Sequence, residues 1–155
     1  MVPHEKPTPA AVVTVPCPPK LLHPNGSHGR PHGRAAVVAK YKDASVAAIH
    51  RQQGSDLGLS RALIELRYLF GCDRAGRRRK KHDPDNLIAW AKAAIDSLVV
   101  AGVLSNDRSI AYAPPVQQCD VSQSFDLLEI AVYRLDGICP VCMRVLDEER
   151  TADRS

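Results

Sequence analysis

The most informative part of this sequence lies between residues 83 and 107, which read DPDNLIAWAKAAIDSLVVAGVLSND. Asp83 is a favoured residue just before a helix, Pro84 suits the first helical position, and Asp85 suits the positive end of the helix dipole. Apolar residues then recur at helical spacing, and a glycine follows that accepts the left-handed conformation typical of helix ends. The stretch predicts a helix over residues 83–100.

Shorter patterns on either side of this helix predict the remaining elements. A β-branched run and several runs of alternating apolar residues are typical of strands, and another stretch of helix-forming residues has a rough 3.6-residue period. The sequence predicts two main helices, including one at 35–53, and about four strands, at 12–15, 59–70, 109–116 and 125–134. Residues 59–70 would also suit a helix.

The composition is that of an ordinary soluble protein. The chain has 155 residues, of which 45% are hydrophobic and 25% charged, which fits about one domain and excludes a collagen-like or wholly disordered chain. No run approaches the roughly 18 apolar residues of a membrane span, and the start lacks the apolar run of an export signal. We expect a cytoplasmic protein with a flexible arm at 1–10, a domain at 11–135 and a tail at 136–155.

The positive charges are concentrated in one segment. The chain has 21 Lys and Arg against 17 Asp and Glu, and six of the cations lie within residues 74–81 with no acid among them. A basic cluster directly before two acids favours contact with DNA phosphates, although it is also compatible with a solvated loop or a localisation-like run. The residues predicted to contact DNA here are Arg77, Arg78, Arg79, Lys80 and Lys81.

A second polar loop is predicted at residues 23–34. It is rich in Gly, His and Arg, so it supplies flexible backbone and cationic tips but nothing that builds a core. It is either a second DNA-contacting loop or a disordered polar segment. Its predicted DNA contacts are Asn25, His28, Arg30 and Arg34.

Asp83 and Asp85 flank a proline at the predicted helix start, which keeps the two carboxylates within a few ångströms of each other. Carboxylate oxygens suit a hard cation such as Mg²⁺, with Mn²⁺ as the alternative. Lys92 lies about two helical turns beyond Asp85. With the basic segment upstream, these residues indicate phosphodiester chemistry, in which a metal lowers the pKa of a bound water and a lysine steadies the phosphate oxygens.

The same residues also have a purely structural interpretation. Asp83 would cap the helix and Asp85 would meet the helix dipole. Lys92 would pair with Asp96 four residues later, which is an exposed ion pair of little energetic worth. Asp107 completes the acidic site only if the strand that follows brings its turn back beside the helix start.

The order of these residues resembles the RusA family of Holliday junction resolvases, especially its phage-borne members. The shared pattern is Asp-x-Asp-Asn, a lysine on the helix, Asp-x-Leu, Ala-Gly-Val and an acidic turn, and each part is present between Asp83 and Asp107. Pro24-Asn25 and the helix after it also look like the amino-terminal region of the family. The resemblance covers roughly residues 10–135.

The resemblance implies an α+β fold, a two-layer α/β arrangement with a small mixed sheet, in a symmetric homodimer. It implies a Mg²⁺-dependent endonuclease that nicks two strands of a four-way DNA junction in a bacterial or phage-infected cytoplasm. By position, Asp83, Asp85 and Asp107 would bind the metal and Lys92 would contact the phosphate. Two departures are a lysine about one turn farther from the first acid than in the best-known bacterial pattern, and Asn106 where the family usually has an acid.

Cys139 and Cys142 form a C-x-x-C pair in the tail, which is half of a structural zinc site. The pair either binds zinc with ligands from elsewhere or consists of unbound thiols.

Two functions are alternatives to a junction resolvase. One is a non-catalytic DNA-binding accessory protein with a zinc site, and the other is a nuclease for flaps or other branched DNA.

Trp90, beside the apolar stripe of its helix, is expected in the core or at a dimer contact.

Overall fold

The computed structural model describes residues 7–26, 31–53, 56–71, 75, 81–120, 122–123 and 125–135. The predicted α+β class is confirmed, but these residues form five strands and three α-helices, where about four strands and two main helices were predicted. In chain order the elements are β1 (Ala11–Pro16), a 3-10 turn (Lys20–Leu22), α1 (Pro31–Gln52), β2 (Ala62–Gly71), α2 (Pro84–Trp90), α3 (Lys92–Val100), β3 (Ile110–Tyr112), β4 (Val116–Asp120) and β5 (Leu127–Arg134).

The five strands form one mixed sheet in the order β1-β5-β2-β3, with β4 also paired to β2. β5 lies antiparallel between β1 and β2, whereas β3 and β4 run parallel to β2. Side chains of β1 are buried at every second position, as expected for a strand with one face against a core. The small mixed sheet implied by the resemblance is confirmed.

The helices cover one face of the sheet. Ile64, Leu66 and Tyr68 of β2 are at most 1% exposed and belong to one apolar cluster with the helical residues Ile49 and Leu98. The opposite face carries a smaller cluster of strand residues, Leu63, Ala131 and Tyr133. The described part of the chain therefore has two layers, and none of its helices is long and apolar enough to cross a membrane.

The strand predicted over residues 109–116 is interrupted. The N–H of Ala113 donates to the carbonyl of Ile64 at 2.9 Å, but Pro114 and Pro115 have no N–H to donate to β2. The parallel pairing therefore stops after β3 and resumes at β4. The prediction of one continuous strand was wrong, and the two adjacent prolines are the physical reason.

The helix predicted over residues 83–100 is divided at Ala91. This residue has φ −75° and ψ −4°, and its N–H is shared between the carbonyls of Leu87 at 3.1 Å and Ile88 at 3.2 Å. The shared bond winds the chain locally into a 3-10 turn. The single predicted helix is therefore two helices, and Lys92 is the first residue of the second.

The first helix begins four residues earlier than predicted. It starts at Pro31, whose fixed φ is compatible with the first helical turn. Arg34, predicted to belong to a surface loop, therefore lies near the start of α1. The predicted loop at 23–34 was too long, and within it residues 27–30 lie outside the described residues.

The turn after α3 depends on Gly102, which has φ +82°. A Cβ built at this position would lie 2.7 Å from the carboxylate of Asp56. We expect Gly102→Ala to lower the free energy of unfolding by about 1–2 kcal/mol, because the left-handed conformation is costly for alanine. Urea unfolding measures the change. Gly33→Ala in α1 is the matched control, because a Cβ there meets nothing within 4 Å and alanine favours helix by about 1 kcal/mol; equal stability of both variants would contradict the prediction.

Candidate functional site

Lys92 and Asp107, fifteen residues apart in the chain, are in direct contact. The Nζ of Lys92 lies 2.8 Å from Oδ2 of Asp107 and 2.8 Å from Oδ1 of Asp96. The lysine side chain is 59% exposed and that of Asp107 is 48% exposed, so solvent and ligands reach both groups. The structure therefore brings together two of the four residues that the sequence predicts to act on a phosphodiester.

The return of the chain after α3 explains this contact. The carbonyl of Gly102 accepts a hydrogen bond from Gly58 at 2.8 Å, and the carbonyl of Leu59 accepts one from Ser105 at 2.9 Å. These bonds hold the turn against the segment that leads into β2. Because β3 then runs parallel to β2, the turn that carries Asp107 is brought back beside α3.

Asn106 shapes the turn that presents Asp107. Its Oδ1 accepts a hydrogen bond from the backbone N–H of Arg108 at 3.0 Å, which is an Asx turn. Its Nδ2 donates to the hydroxyl of Ser105 at 3.2 Å. Asn106, at the position where the resemblance leads us to expect an acid, thus has a structural role in the turn.

The cluster keeps Lys92 positively charged. Hydrogen bonds to Asp107 and then to Asp96 raise the pKa of Lys92 well above its usual value. The hydrogen bond from Lys92 in turn lowers the pKa of Asp107. The two carboxylates thus stabilise the charged form of Lys92, which suits contact with a phosphate.

Asp96 joins this group to α1. Its Oδ2 lies 3.0 Å from the Nζ of Lys42, while its Oδ1 contacts Lys92. Burial raises the pKa of Asp96, but its hydrogen bonds with Lys92 and Lys42 outweigh burial and lower the pKa overall. Lys92 and Asp96 thus form the ion pair that their spacing predicts. We call Lys42, Lys92, Asp96 and Asp107 the lysine–carboxylate cluster.

Asp83 and Asp85 lie at the start of α2 with exposed side chains. Asp83 occupies the N-cap position, and its backbone carbonyl accepts the N–H of Leu87 at 3.1 Å, but its carboxylate makes no cap hydrogen bond. The carboxylate of Asp83 is thus not engaged by the helix it precedes. Within the described residues, no hydrogen bond or ion pair joins either acid to the lysine–carboxylate cluster.

The chemistry of these acids fits a hard cation, since exposed carboxylate oxygens are the ligands that Mg²⁺ prefers. The three predicted metal ligands, Asp83, Asp85 and Asp107, are not arranged as a complete metal site. In the described part of the chain, no three His, Cys, Asp or Glu side chains form a group that could hold a metal ion. Asp83 and Asp85 are both exposed at the start of α2, and Asp107 belongs to the lysine–carboxylate cluster.

The side chain of Gln117 clamps the backbone of His82 just before α2, a contact that the sequence did not indicate. The side chain of Gln117 in β4 accepts a hydrogen bond from the N–H of His82 at 2.8 Å and donates one to its carbonyl at 2.7 Å. The ring of His82 lies 5.4 Å from that of Phe70 and 5.5 Å from that of Trp90, between ring centroids. Burial, and then the neighbouring His23, lower the pKa of His82. The clamp positions Asp83, the next residue.

Trp90 is a core residue, as predicted. It is 5% exposed, stacks on Tyr68 with ring centroids 5.5 Å apart, and donates from Nε1 to the carbonyl of Pro19 at 3.0 Å. The hydroxyl of Tyr68 donates to the carbonyl of Leu87 at 2.7 Å. These contacts attach α2, which carries Asp85, to the sheet.

The residues predicted to contact DNA are only partly described. Asn25 is exposed in the turn after the 3-10 helix, Arg34 lies near the start of α1, and Lys81 is exposed just before His82. The structure does not gather these three into one surface loop. The other predicted contacts and the cysteine pair lie outside the described residues: His28, Arg30, Arg77, Arg78, Arg79, Lys80, Cys139 and Cys142.

No protein-family model matches the chain, and no curated protein matches it either.

Proposed function

We propose that this protein is a Mg²⁺-dependent, structure-selective DNA endonuclease of the RusA type that resolves four-way junctions. The observation that carries the proposal is the contact of Lys92 with Asp107. This contact joins the lysine and the acidic turn of the motif in an exposed position. The sequence alone did not predict that these two residues are neighbours. The exposed pair Asp83 and Asp85 on the preceding helix gives the proposal its second support.

The residues have distinct roles in this proposal. Asp83, Asp85 and Asp107 would hold Mg²⁺, or Mn²⁺ in its place, which supplies an activated water and offsets charge on the phosphate. Lys92, whose charge is maintained by two carboxylates, contacts the phosphate oxygens. Lys81 and the basic residues before it contact the backbone of the DNA without reading its sequence.

A junction has two-fold symmetry, so a homodimer would present one site to each of two strands. We therefore propose that the protein acts as a dimer in which each subunit makes one nick. The sedimentation of the protein with and without a junction measures this state directly.

One observation favours a second candidate, a non-catalytic DNA-binding accessory protein. In the described residues the three acids do not form a metal-binding group, and Lys92 is already paired with carboxylates. In this alternative the basic segments bind DNA, and the cysteine pair in the tail binds zinc.

The deciding experiment compares a synthetic four-way junction, a flap and a linear duplex of the same sequences. Each is incubated with purified protein at moderate salt, in Mg²⁺ and in EDTA. Paired nicks near the branch point of the junction, in Mg²⁺ alone, are the expected result. Preferential cleavage of the flap would identify a flap nuclease, and junction binding without cleavage in either buffer would favour the accessory protein.

A further inference from the structure

Tyr112, the last residue of β3, is an exposed aromatic residue close to the lysine–carboxylate cluster. Its side chain is 36% exposed, although a large aromatic ring gains from burial in a core. Burial raises the pKa of Tyr112, the charge of Lys92 lowers it, and the charges of Asp107 and Asp96 raise it. The hydroxyl therefore lies within electrostatic reach of three members of the cluster.

The register of the sheet fixes the face on which Tyr112 lies. Tyr112 pairs with Ile64 of β2, and Ile64 belongs to the apolar cluster that the helices share. Partners in register project to the same face, and successive residues of a strand alternate between faces. Accordingly, Ile110 packs against that cluster and Ala111 against the opposite one. The ring of Tyr112 thus projects on the same side of the sheet as Lys92.

The backbone that carries Tyr112 is bonded to β2 at both ends of β3. The N–H of Ala62 donates to the carbonyl of Ser109 at 3.2 Å. The N–H of Ala113 donates to the carbonyl of Ile64 at 2.9 Å. A tyrosine has only two side-chain torsions, so a ring on such a backbone loses little entropy when a flat ligand stacks on it.

We propose that Tyr112 stacks on a nucleobase next to the phosphate that Lys92 contacts, and that this stacking favours branched over linear DNA. The inference rests on the proposed function, which supplies the DNA and its phosphate. Each phosphate of a strand is joined through a sugar to its base, so a ring near Lys92 reaches a neighbouring base. In a linear duplex both faces of that base are stacked, and opening the stack costs free energy. At a branch point the continuous stack is interrupted, and a base face is more accessible.

Stacking uses the ring of Tyr112 rather than its hydroxyl. Every base has a flat π-face, so an aromatic ring stacks on any of the four with little preference for sequence. This contact therefore recognises an open base, as expected of a protein that selects the shape of DNA. A hydroxyl that donated to a phosphate instead would make a different prediction, because phenylalanine would lose that contact.

The test measures binding of a four-way junction and of a linear duplex of the same sequences, by fluorescence anisotropy in EDTA. Tyr112→Leu keeps an apolar side chain on β3 but removes the flat ring. It should raise the Kd for the junction about ten-fold, as expected for the loss of one stacked base, and leave the Kd for the duplex unchanged. Tyr112→Phe, which keeps the ring, should bind both as the wild type does. An equal loss on the duplex would overturn the selectivity for branched DNA.

Val12→Ala is the matched control. Val12 is also exposed, at 47%, but it lies on β1, at the other end of the strand order from β3. It should bind both DNAs as the wild type does.

Junctions with an abasic site identify the base. Single abasic sites are placed in turn at the nucleotides that flank the branch point. One of them should weaken binding of the wild type about ten-fold and should weaken binding of Tyr112→Leu no further, because the ring and the base are partners in one contact. Losses that add at every position, or no loss at any position, would overturn the stacking.

The outcomes separate this inference from the proposed function. If the wild type cleaves junctions and Tyr112→Leu binds them as the wild type does, the stacking is refuted and the proposed function stands. If Tyr112→Phe loses as much affinity as Tyr112→Leu, the hydroxyl is the contact and the stacking is again refuted. If only the loss of the ring weakens binding but the wild type does not cleave, the stacking is supported in a DNA-binding protein and the nuclease is refuted. If the wild type binds no DNA, both are refuted.

Discussion

Asp85→Asn is expected to lower the rate of junction cleavage about a thousand-fold, which corresponds to about 4 kcal/mol of transition-state stabilisation. Asparagine keeps the size of the side chain but removes the charge that attracts a divalent cation. Since the side chain of Asp85 is exposed at the start of α2, the change should leave the fold intact. Junction binding should be equal or tighter, because a negative charge near the phosphates has been removed.

The measurement is single-turnover cleavage of a labelled junction in Mg²⁺, with binding followed separately in EDTA. Asp43→Asn is the matched control, since Asp43 is exposed on α1 and has no role in the proposed site. It should cleave at the wild-type rate. Loss of binding together with cleavage in Asp85→Asn would contradict the role given to this carboxylate, as would unchanged cleavage.

Trp90→Ala should lower the free energy of unfolding by about 3–5 kcal/mol, the range for a large buried aromatic residue. The ring packs among Tyr68, Phe70, His23 and His82. Its removal leaves a cavity under the break between α2 and α3, and the carbonyl of Pro19 loses its donor. A loss of this size is a large fraction of the stability of a small domain.

Urea unfolding followed by circular dichroism measures this change, since the variant lacks the tryptophan fluorescence signal. Val100→Ala at the end of α3 is the control, because Val100 is 69% exposed and its truncation should change stability by less than about 0.5 kcal/mol. Trp90→Phe should be intermediate, because it keeps most of the packing and loses only the indole N–H. A Trp90→Ala variant as stable as Val100→Ala would show that the aromatic cluster does not hold α2.

Local patterns in the sequence were sufficient for most of the fold. The β-branched run that predicted residues 12–15 forms β1, and the alternation after residue 125 forms β5. The break at Pro114 and Pro115 was also present in the sequence, because neither proline can donate to a ladder. The division at Ala91 was not, since alanine is the best helix former and gives no sign of a tightened turn.

The candidate site was less predictable because it depends on contacts distant in the chain. That Asp107 reaches Lys92 follows from the hydrogen bonds of the turn with residues 58 and 59, which no local pattern reveals. Lys42 was missed for the same reason, since its partner Asp96 lies on another helix. The pairing of Lys92 with Asp96 was predictable because residues four apart on one helix are neighbours.

The position of β5 has a consequence for how the protein is made. This strand pairs with both β1 and β2, yet it is the last described element in the chain. During synthesis, β1 and β2 therefore emerge from the ribosome with no strand between them, and the edges with which they pair to β5 stay unpaired until that strand has also emerged. Because pairing of this kind needs distant segments to meet, the sheet forms only after most of the described chain has been synthesised.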